Sequence, residues 1–560
     1  MVTTPTPPPA ARLLDWTAIA FLFLATSYQI LCAAQAIVFL NEHVLRMDDA
    51  YYYFEVARNI ADHDRVTFDG IHTTSGLQLL WGGVLTLLAE IVHDRVGFLR
   101  AILVISAVLN LGTGLMLRRL GRRLDSPVVG HVATVIWSAF MLGISPTMIG
   151  MEYALHALVI VATVACLWSI WSEPEAATTG RLLGLGGLLT LNFWTRLDSA
   201  SLSLMAAAAT GVVLWPVRAG WREWAHRMAM LVAVPAAASI AYVAVCYLAA
   251  RTPIPISGLV KAHYAARHFD EHGWLTSLAG HVSWWFRVEL RPLVDAASTA
   301  LLAGHQPLAR AMPLLVVAVS LLVTVRTARQ IVRERRARPL RYRILLFLAF
   351  LWAIEGVHVA VVVTTIGHFS HVTQHYYGWL FLTWCLWAGL MFDRWVGDGS
   401  AGGLPKALAT GALTAVIIGN GAVAAGRFTT PVEPEGSLHN RRVPVIAWLD
   451  ANLPDGSRIG AWNAGQIGYL SRHTVVNLDG LANDGDYLEV LTSGSSVIDY
   501  MRREGIDFLV DINAADLTMP YRASWDRERF FHRTVPRSVL EPVYVEPSQD
   551  EPIEVLRLRR

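Results

Sequence analysis

The chain has 560 residues, of which 54% are hydrophobic and only 16% charged, and its mean hydropathy is +0.42. That is too apolar for a soluble protein of this size, so the composition excludes an ordinary globular enzyme and indicates a polytopic membrane protein. The net charge of +2 is near balance, and no basic stripe offers a footprint for nucleic acid.

Twenty tryptophans and sixteen tyrosines suit membrane–water interfaces and carbohydrate contacts. The four cysteines (Cys32, Cys166, Cys246, Cys385) all lie in apolar segments, which leaves the hydrophilic C-terminal part without a disulfide framework or a zinc cluster.

In chain order, residues 1–11 are rich in proline and threonine and read as a disordered cytoplasmic tail. Residues 16–40 carry no charge and exceed the about 20 apolar residues that a bilayer requires. They are too long for a signal-peptide core and lack a convincing cleavage site, so they read as a retained first span. Residues 41–100 form a polar loop that contains Met47-Asp48-Asp49-Ala50-Tyr51-Tyr52-Tyr53-Phe54-Glu55, Ala57-Arg58-Asn59-Ile60, Gly76 and Leu80-Trp81. The two neighbouring carboxylates lie just outside the first span. They repel each other, which suits one of them to accept a proton. An Asp pair at this place also caps a helix. The tyrosines and Trp81 offer flat faces of the kind that pack on sugars. Residues 77–92 are apolar but short, more an interfacial helix than a span.

Uncharged runs between arginines place further spans at 101–117, 128–144, 153–171, 182–195, 200–217, 228–250, 311–325, 344–366, 376–392 and 407–425. With the first they make about eleven. The basic loops around Arg118, Arg119, Arg122 and Arg123, at 218–227 and at 326–343 fall on one side, which is then cytoplasmic. The Asp48-Asp49 loop, 145–152, 196–198, 251–310 and 368–375 face outward. An odd number of spans also puts everything after Arg427 outside, in agreement with the charge bias.

Residues 427–560 are less apolar. Helices are expected at 443–453 and 497–504 and strands at 458–462, 474–478 and 508–512, an alternation that makes a small extracytoplasmic α/β domain. The turns Trp462-Asn463-Ala464-Gly465-Gln466-Ile467-Gly468-Tyr469 and Asn477-Leu478-Asp479-Gly480-Leu481 flank those strands, and neither is a nucleotide fingerprint. The domain reads as an acceptor-binding unit, as a lid over the active site or as a structural cap.

Four more polar clusters share the outward side. Glu152, in Gly150-Met151-Glu152, either binds sugar hydroxyls or favours the positive N-terminus of the next helix. Arg196, in Thr195-Arg196-Leu197-Asp198, offers a planar fork for phosphate or snorkels and pairs with Asp198. Lys261, with His263 or Arg267 beside it, suits a donor phosphate or lipid headgroups. His368, His371 and His375 share one face if their stretch is helical. They line a polar cavity or, with Asp48 or Asp49, hold a divalent cation, although no ligand set is defined. Within a span, Glu355 and His358 at i and i+3 read as a buried hydrogen-bonded pair or a proton relay.

These elements resemble the GT-C glycosyltransferases, multi-spanning enzymes that take sugars from polyprenyl-phosphate donors, and within them the envelope arabinofuranosyl- and mannosyltransferases. The resemblance rests on the Asp48-Asp49 loop, Gly76 with Leu80-Trp81, Gly150-Met151-Glu152, Thr195-Arg196-x-Asp198, and Pro253-x-Pro255 followed by Lys261-Ala262. Tyr153 stands where the family usually has threonine, and Leu197 where it has proline. The resemblance covers the membrane region, 1–426, and more loosely 427–560. It implies inverting transfer of arabinofuranose, or a hexose such as mannose, to a glycan, glycolipid or glycoprotein on the outer side of a bacterial cytoplasmic membrane. Asp48 is then the first choice of general base, with Asp49 second or assisting by charge. Lys261, Arg196, His263 and Arg58 would bind the donor phosphate. Tyr51, Tyr52, Trp81, Glu152, His371, Gln374, His375 and Tyr376 would meet sugar or acceptor. No cofactor is certain, and a divalent cation stays open. The alternative is a transporter or flippase that moves a lipid-linked sugar without chemistry, for which Glu355 and His358 are the best support.

Overall fold

A computed structural model of the chain describes residues 9–124, 127–143, 146–215, 220–273, 275–276, 279–280, 324–326, 328–334, 336, 339–366, 380–394, 403–432, 437–493, 495–512, 539–547 and 552–559. The membrane part begins with α1 (Pro9–Ala33) and the short α2 (Ile37–His43). The uncharged run 16–40, expected as one span, is therefore two helices. Chain turns after Ala33 because the last apolar residues are used elsewhere: Phe39 packs on Phe428 with ring centroids 5.1 Å apart, and Asn440 donates to the Val38 carbonyl at 3.2 Å.

The loop then folds as α3 (Asp48–His63) and α4 (Leu79–Ala89). Asp48 and Asp49 occupy the first turn of α3, where the helix dipole favours negative charge. The helix stops where Asp64 turns left-handed at φ 55°, and the Asp64 N–H closes on the carbonyls of Asn59 and Ile60. Beyond it run α5 (Arg95–Leu124), α6 (Pro127–Leu142), α7 (Tyr153–Ser172), α8 (Thr179–Thr195), α9 (Ala200–Leu214), α10 (Trp221–Ala250), α11 (Ile256–His272), α12 (Pro339–Ile366), α13 (Leu380–Phe392) and α14 (Gly403–Thr429). Among the described residues six helical stretches are long and apolar enough to cross a membrane, in α1, α5, α7, α9 with the turn before it, α10 and α12. Shorter apolar helical stretches lie in α4, α6, α13 and the Leu413–Thr429 part of α14. The span expected at 311–325 falls almost wholly outside the described residues. At one end of the bundle, Arg118, Arg122 and His131 converge on Asp15 and tie α1, α5 and α6 together.

The C-terminal part is an α/β unit of α15 (Leu438–Asn452), β1 (Arg458–Ala461), α16 (Gly465–Leu470), β2 (Thr474–Asn477), α17 (Gly485–Ser493), α18 (Val497–Arg503), β3 (Phe508–Ile512), β4 (Leu540–Val545) and β5 (Ile553–Leu558). The sheet order is β2-β1-β3-β5-β4. Strands β1, β2 and β3 run parallel, with Ile459 opposite both Val475 and Phe508, and β5 is antiparallel to β3 and β4. Ser437 and Ser496 cap α15 and α18 through their hydroxyls.

This unit does not stand apart from the membrane part. One apolar core joins Tyr51, Phe54 and Trp81 of the loop to Val445, Ile459, Tyr469 and Val510. Another joins Ile256 and Val260 of α11 to Trp462, Leu478 and Tyr487.

Candidate functional site

The two aspartates at the start of α3 point to different partners. Asp48 Oδ1 accepts from Arg442 Nη1 at 2.6 Å and from the Gln466 N–H at 3.0 Å, while its Oδ2 accepts from the Gly465 N–H at 2.8 Å. Both oxygens are thus occupied by groups of the C-terminal unit. The approach needs glycine at 465, since a Cβ there would collide with the Asp48 carbonyl. Asp49 faces α11 instead, with its carboxylate 3.8 Å from Lys261 Nζ. These side chains keep 30% and 29% of their surface exposed.

Lys261 is delivered by a fixed helix. The Ile256 N–H donates to Ser75 Oγ at 3.1 Å, Ser75 lies 3.3 Å from Thr252 Oγ1, and Ile256 and Val260 are buried in the C-terminal core. Loop, α11 and C-terminal unit therefore meet around Asp49. His263 follows Lys261 on the same helix and is half-buried.

One turn after Asp49, the buried Tyr52 phenol meets the ends of two parallel strands. It lies 2.6 Å from Asp479 Oδ2 and 3.1 Å from the Trp462 carbonyl, and it accepts from the Ala464 N–H at 3.1 Å. Asp479 follows β2, Trp462 follows β1, and the Leu481 N–H donates to Asp479 Oδ1 at 2.8 Å. Burial, joined by the charge of Asp49, raises the Asp479 carboxyl to about 8, although bonds from Tyr52, the Leu481 N–H and Asn477 pull it down. Neither Asp479 nor Arg442 was singled out as a site residue from the sequence. A signal existed for Asp479: it stands just past the carboxyl end of a parallel strand, where α/β sheets gather ligands.

Glu152 and Arg196 meet in a second cluster. Arg196 Nη1 donates to Glu152 Oε1 at 2.6 Å, and its Nε and Nη2 donate to Asp198 at 3.0 and 2.7 Å. The fork expected to hold phosphate already holds two carboxylates. Burial raises the Glu152 carboxyl despite Arg196 beside it. Next to this cluster, His156 Nε2 lies 2.7 Å from Ser199 Oγ.

The remaining expected residues divide clearly. Tyr51, Tyr52 and Tyr53 are buried, and Tyr51 donates to Asn41 Oδ1 at 3.2 Å. Trp81 is fully buried and its indole donates to the Gly150 carbonyl at 3.2 Å, so its faces are covered by protein. Arg58 lies nine residues beyond Asp49, about half a turn round the helix, and pairs with Asp62 at 3.7 Å. It does not join Lys261. Glu355 and His358 are both buried but have different surroundings: Thr383 bonds Glu355, while His358 lies by Asp198 and His156. His368, His371, Gln374, His375 and Tyr376 lie outside the described residues. Among the described residues no group of three or more His, Cys, Asp or Glu side chains is spaced to hold a metal ion.

Comparison with known proteins places this geometry in a fold. The apo crystal structure of ArnT from Cupriavidus metallidurans is similar over 97% of this chain and 98% of that one, with a TM-score of 0.53 and 14% sequence identity. The same protein bound to undecaprenyl phosphate gives 0.51 and 14%, over 97% of each chain. The apo oligosaccharyltransferase of Archaeoglobus fulgidus matches 88% of this chain and 69% of that one at a TM-score of 0.48 and 11% identity. The likeness to ArnT shows the GT-C fold that the sequence motifs implied. Residues 435–545 match a family described as a domain of unknown function (DUF8728), which coincides with most of the C-terminal unit. No curated protein matches the sequence.

Proposed function

We propose that the chain is an integral membrane glycosyltransferase that moves a sugar from a polyprenyl-phosphate donor to a hydroxyl of a glycan, lipid or protein acceptor on the outer face of a bacterial cytoplasmic membrane. The carrying observation is the Asp49–Lys261 pair, a carboxylate and an ammonium 3.8 Å apart at the junction of loop, α11 and C-terminal unit. ArnT, which shares the fold, has been crystallised with undecaprenyl phosphate, which supports a lipid-phosphate ligand here.

The chemistry asks little of the protein beyond a base and a cation. Acceptor oxygen attacks the anomeric carbon from the face opposite the phosphate and gives its proton to a carboxylate. The bond from that carbon to the phosphate oxygen breaks, its electron pair leaves with the polyprenyl phosphate, and the configuration inverts. A fixed cation beside the phosphate stabilises the charge that develops. Lys261 fills that role. For the base we favour Asp49 over Asp48, the first choice from the sequence, because three donors already engage both oxygens of Asp48 while Asp49 stays partly exposed beside Lys261. Arabinofuranose and mannose remain the sugars to test first.

The test is transfer of radiolabelled sugar from a panel of polyprenyl-phosphate donors by purified protein. Asp49→Asn is expected to lower kcat by about 10²–10⁴-fold with donor binding retained. If no donor is consumed over a broad acceptor panel while labelled lipid crosses a vesicle membrane, the protein is a flippase and this reading falls.

A further inference from the structure

Tyr52 carries one hydroxyl hydrogen but faces two acceptors, Asp479 Oδ2 at 2.6 Å and the Trp462 carbonyl at 3.1 Å, while the Ala464 N–H already donates to it. If Asp479 is a carboxylate, one of those contacts lacks a hydrogen. Both close when Asp479 brings its own: the carboxyl donates to the phenol oxygen and the phenol donates to Trp462. The Leu481 N–H on the other oxygen, Oδ1, fits this form equally well.

We propose that the C-terminal unit completes the transfer site, with Asp479 as a positioning residue that acts through the Tyr52 phenol to fix the first turn of α3 and hence Asp49. The inference rests on the glycosyltransferase reading above and adds a component to it. Tyr52 is three residues after Asp49, one helical turn, so a shift of its ring moves the turn that carries Asp49. The Asp479 loop is itself held: Tyr487 donates to the Leu478 carbonyl at 2.6 Å, and Asn483 to the Asn477 carbonyl at 2.7 Å. A Cβ at Gly480 would press on Val260 of α11, the helix that brings Lys261. One short loop thus registers both members of the Asp49–Lys261 pair. The upward shift of Asp479 agrees with a carboxyl that keeps its hydrogen at neutral pH, next to the charge of Asp49 and bonded by Tyr52 and Asn477.

A neutral Asp479 has an isosteric substitute, and this sets the experiment. Asp479→Asn supplies an amide N–H for the phenol and a carbonyl for Leu481, so it is expected to keep kcat within about threefold of wild type. Asp479→Ala and Tyr52→Phe are expected to lower kcat by about 10–100-fold with donor KM unchanged, the cost of a misplaced reactive group. Wild type is expected to lose kcat as pH rises through about 8, and that loss should vanish in Asp479→Asn. Infrared spectra at pH 7 should show a protonated-carboxyl band lost between wild type and Asp479→Asn, a readout that does not depend on Asp479→Ala folding. The proposal is overturned if Asp479→Asn is as impaired as Asp479→Ala, if both are fully active, or if no such band is lost. Wild-type protein that transfers no sugar from any donor overturns the glycosyltransferase reading itself, and this inference with it.

Discussion

Arg196 is 6% exposed and lies between two carboxylates, those of Glu152 and Asp198, which are 1% and 15% exposed. A buried ion set of this kind adds little net stability when complete but costs a great deal when broken, because the partners left behind stay desolvated. Arg196→Ala should therefore destabilise the protein by about 3–5 kcal/mol, and adding Glu152→Gln should recover part of that loss. Denaturant unfolding in detergent would measure both, and an Arg196→Ala protein as stable as wild type would show that the cluster is not closed. The pairing with Asp198 was legible from a two-residue spacing. Glu152 was not, since it lies 44 residues away and only helix packing brings it to the fork. The same limit applies to Asp48. The family resemblance ranks Asp48 before Asp49 as the base, whereas what separates their surroundings is Arg442 and Gly465, about four hundred positions downstream.

At the scale of elements, the six residues of α16 show what local pattern conveys and what it omits. Gly465-x-x-Gly468 was visible as a turn; that its N–H groups close on the loop aspartate was not. Backbone approach here leaves no space for a side chain, so Gly465→Ala is expected to cost about 1–3 kcal/mol by overpacking. Asp48→Ala leaves that carbonyl in place but removes the carboxylate that the Gly465 N–H holds, a bond that the displaced backbone of Gly465→Ala loses as well. The double variant should then be less unstable than the sum of the singles, and additive unfolding energies would show that the two sites act independently. Elsewhere the expected strands at 458–462, 474–478 and 508–512 match β1, β2 and β3 because short apolar runs between turn residues have few other readings. Strands β4 and β5 escaped notice: β4 contains Pro542 and leaves much of its length exposed, and its place in the sheet depends on pairing with β5. The uncharged run 16–40 overstates the first span for a related reason, since hydropathy alone cannot tell membrane-buried Phe39 from Phe39 packed on Phe428.

At the scale of the whole molecule, the C-terminal unit is held to the loop at several points, and one of them titrates at mildly alkaline pH. His72 Nδ1 lies 2.6 Å from Asp69 Oδ2 within the loop, and its Nε2 lies 3.4 Å from Glu504 Oε2 of the C-terminal unit. Burial pushes the imidazolium down, but Asp69, then Asp484 and Glu504, outweigh it and raise His72 to about 9. A histidine with a raised value in the folded state lends stability that is full below its unfolded value, about 6.5, and is lost as pH climbs through about 9. The contribution is roughly 3 kcal/mol at the acid end of that window. Asp479 slopes in the same direction up to about pH 8, because its carboxyl is also raised in the folded state. The quantity to read is therefore the difference between wild type and His72→Gln in melting temperature, taken at intervals from pH 6 to pH 10. That difference should be largest at pH 6 and shrink towards zero by pH 10, and Glu504→Gln should reproduce part of it. A difference that stays constant across the range would mean that His72 packs against the C-terminal unit without its charge. In that case the attachment rests on Asp48, on Tyr52 and on the Arg95–Tyr469 contact, in which Arg95 lies 4.9 Å above the ring and also binds Glu55 at 2.8 Å.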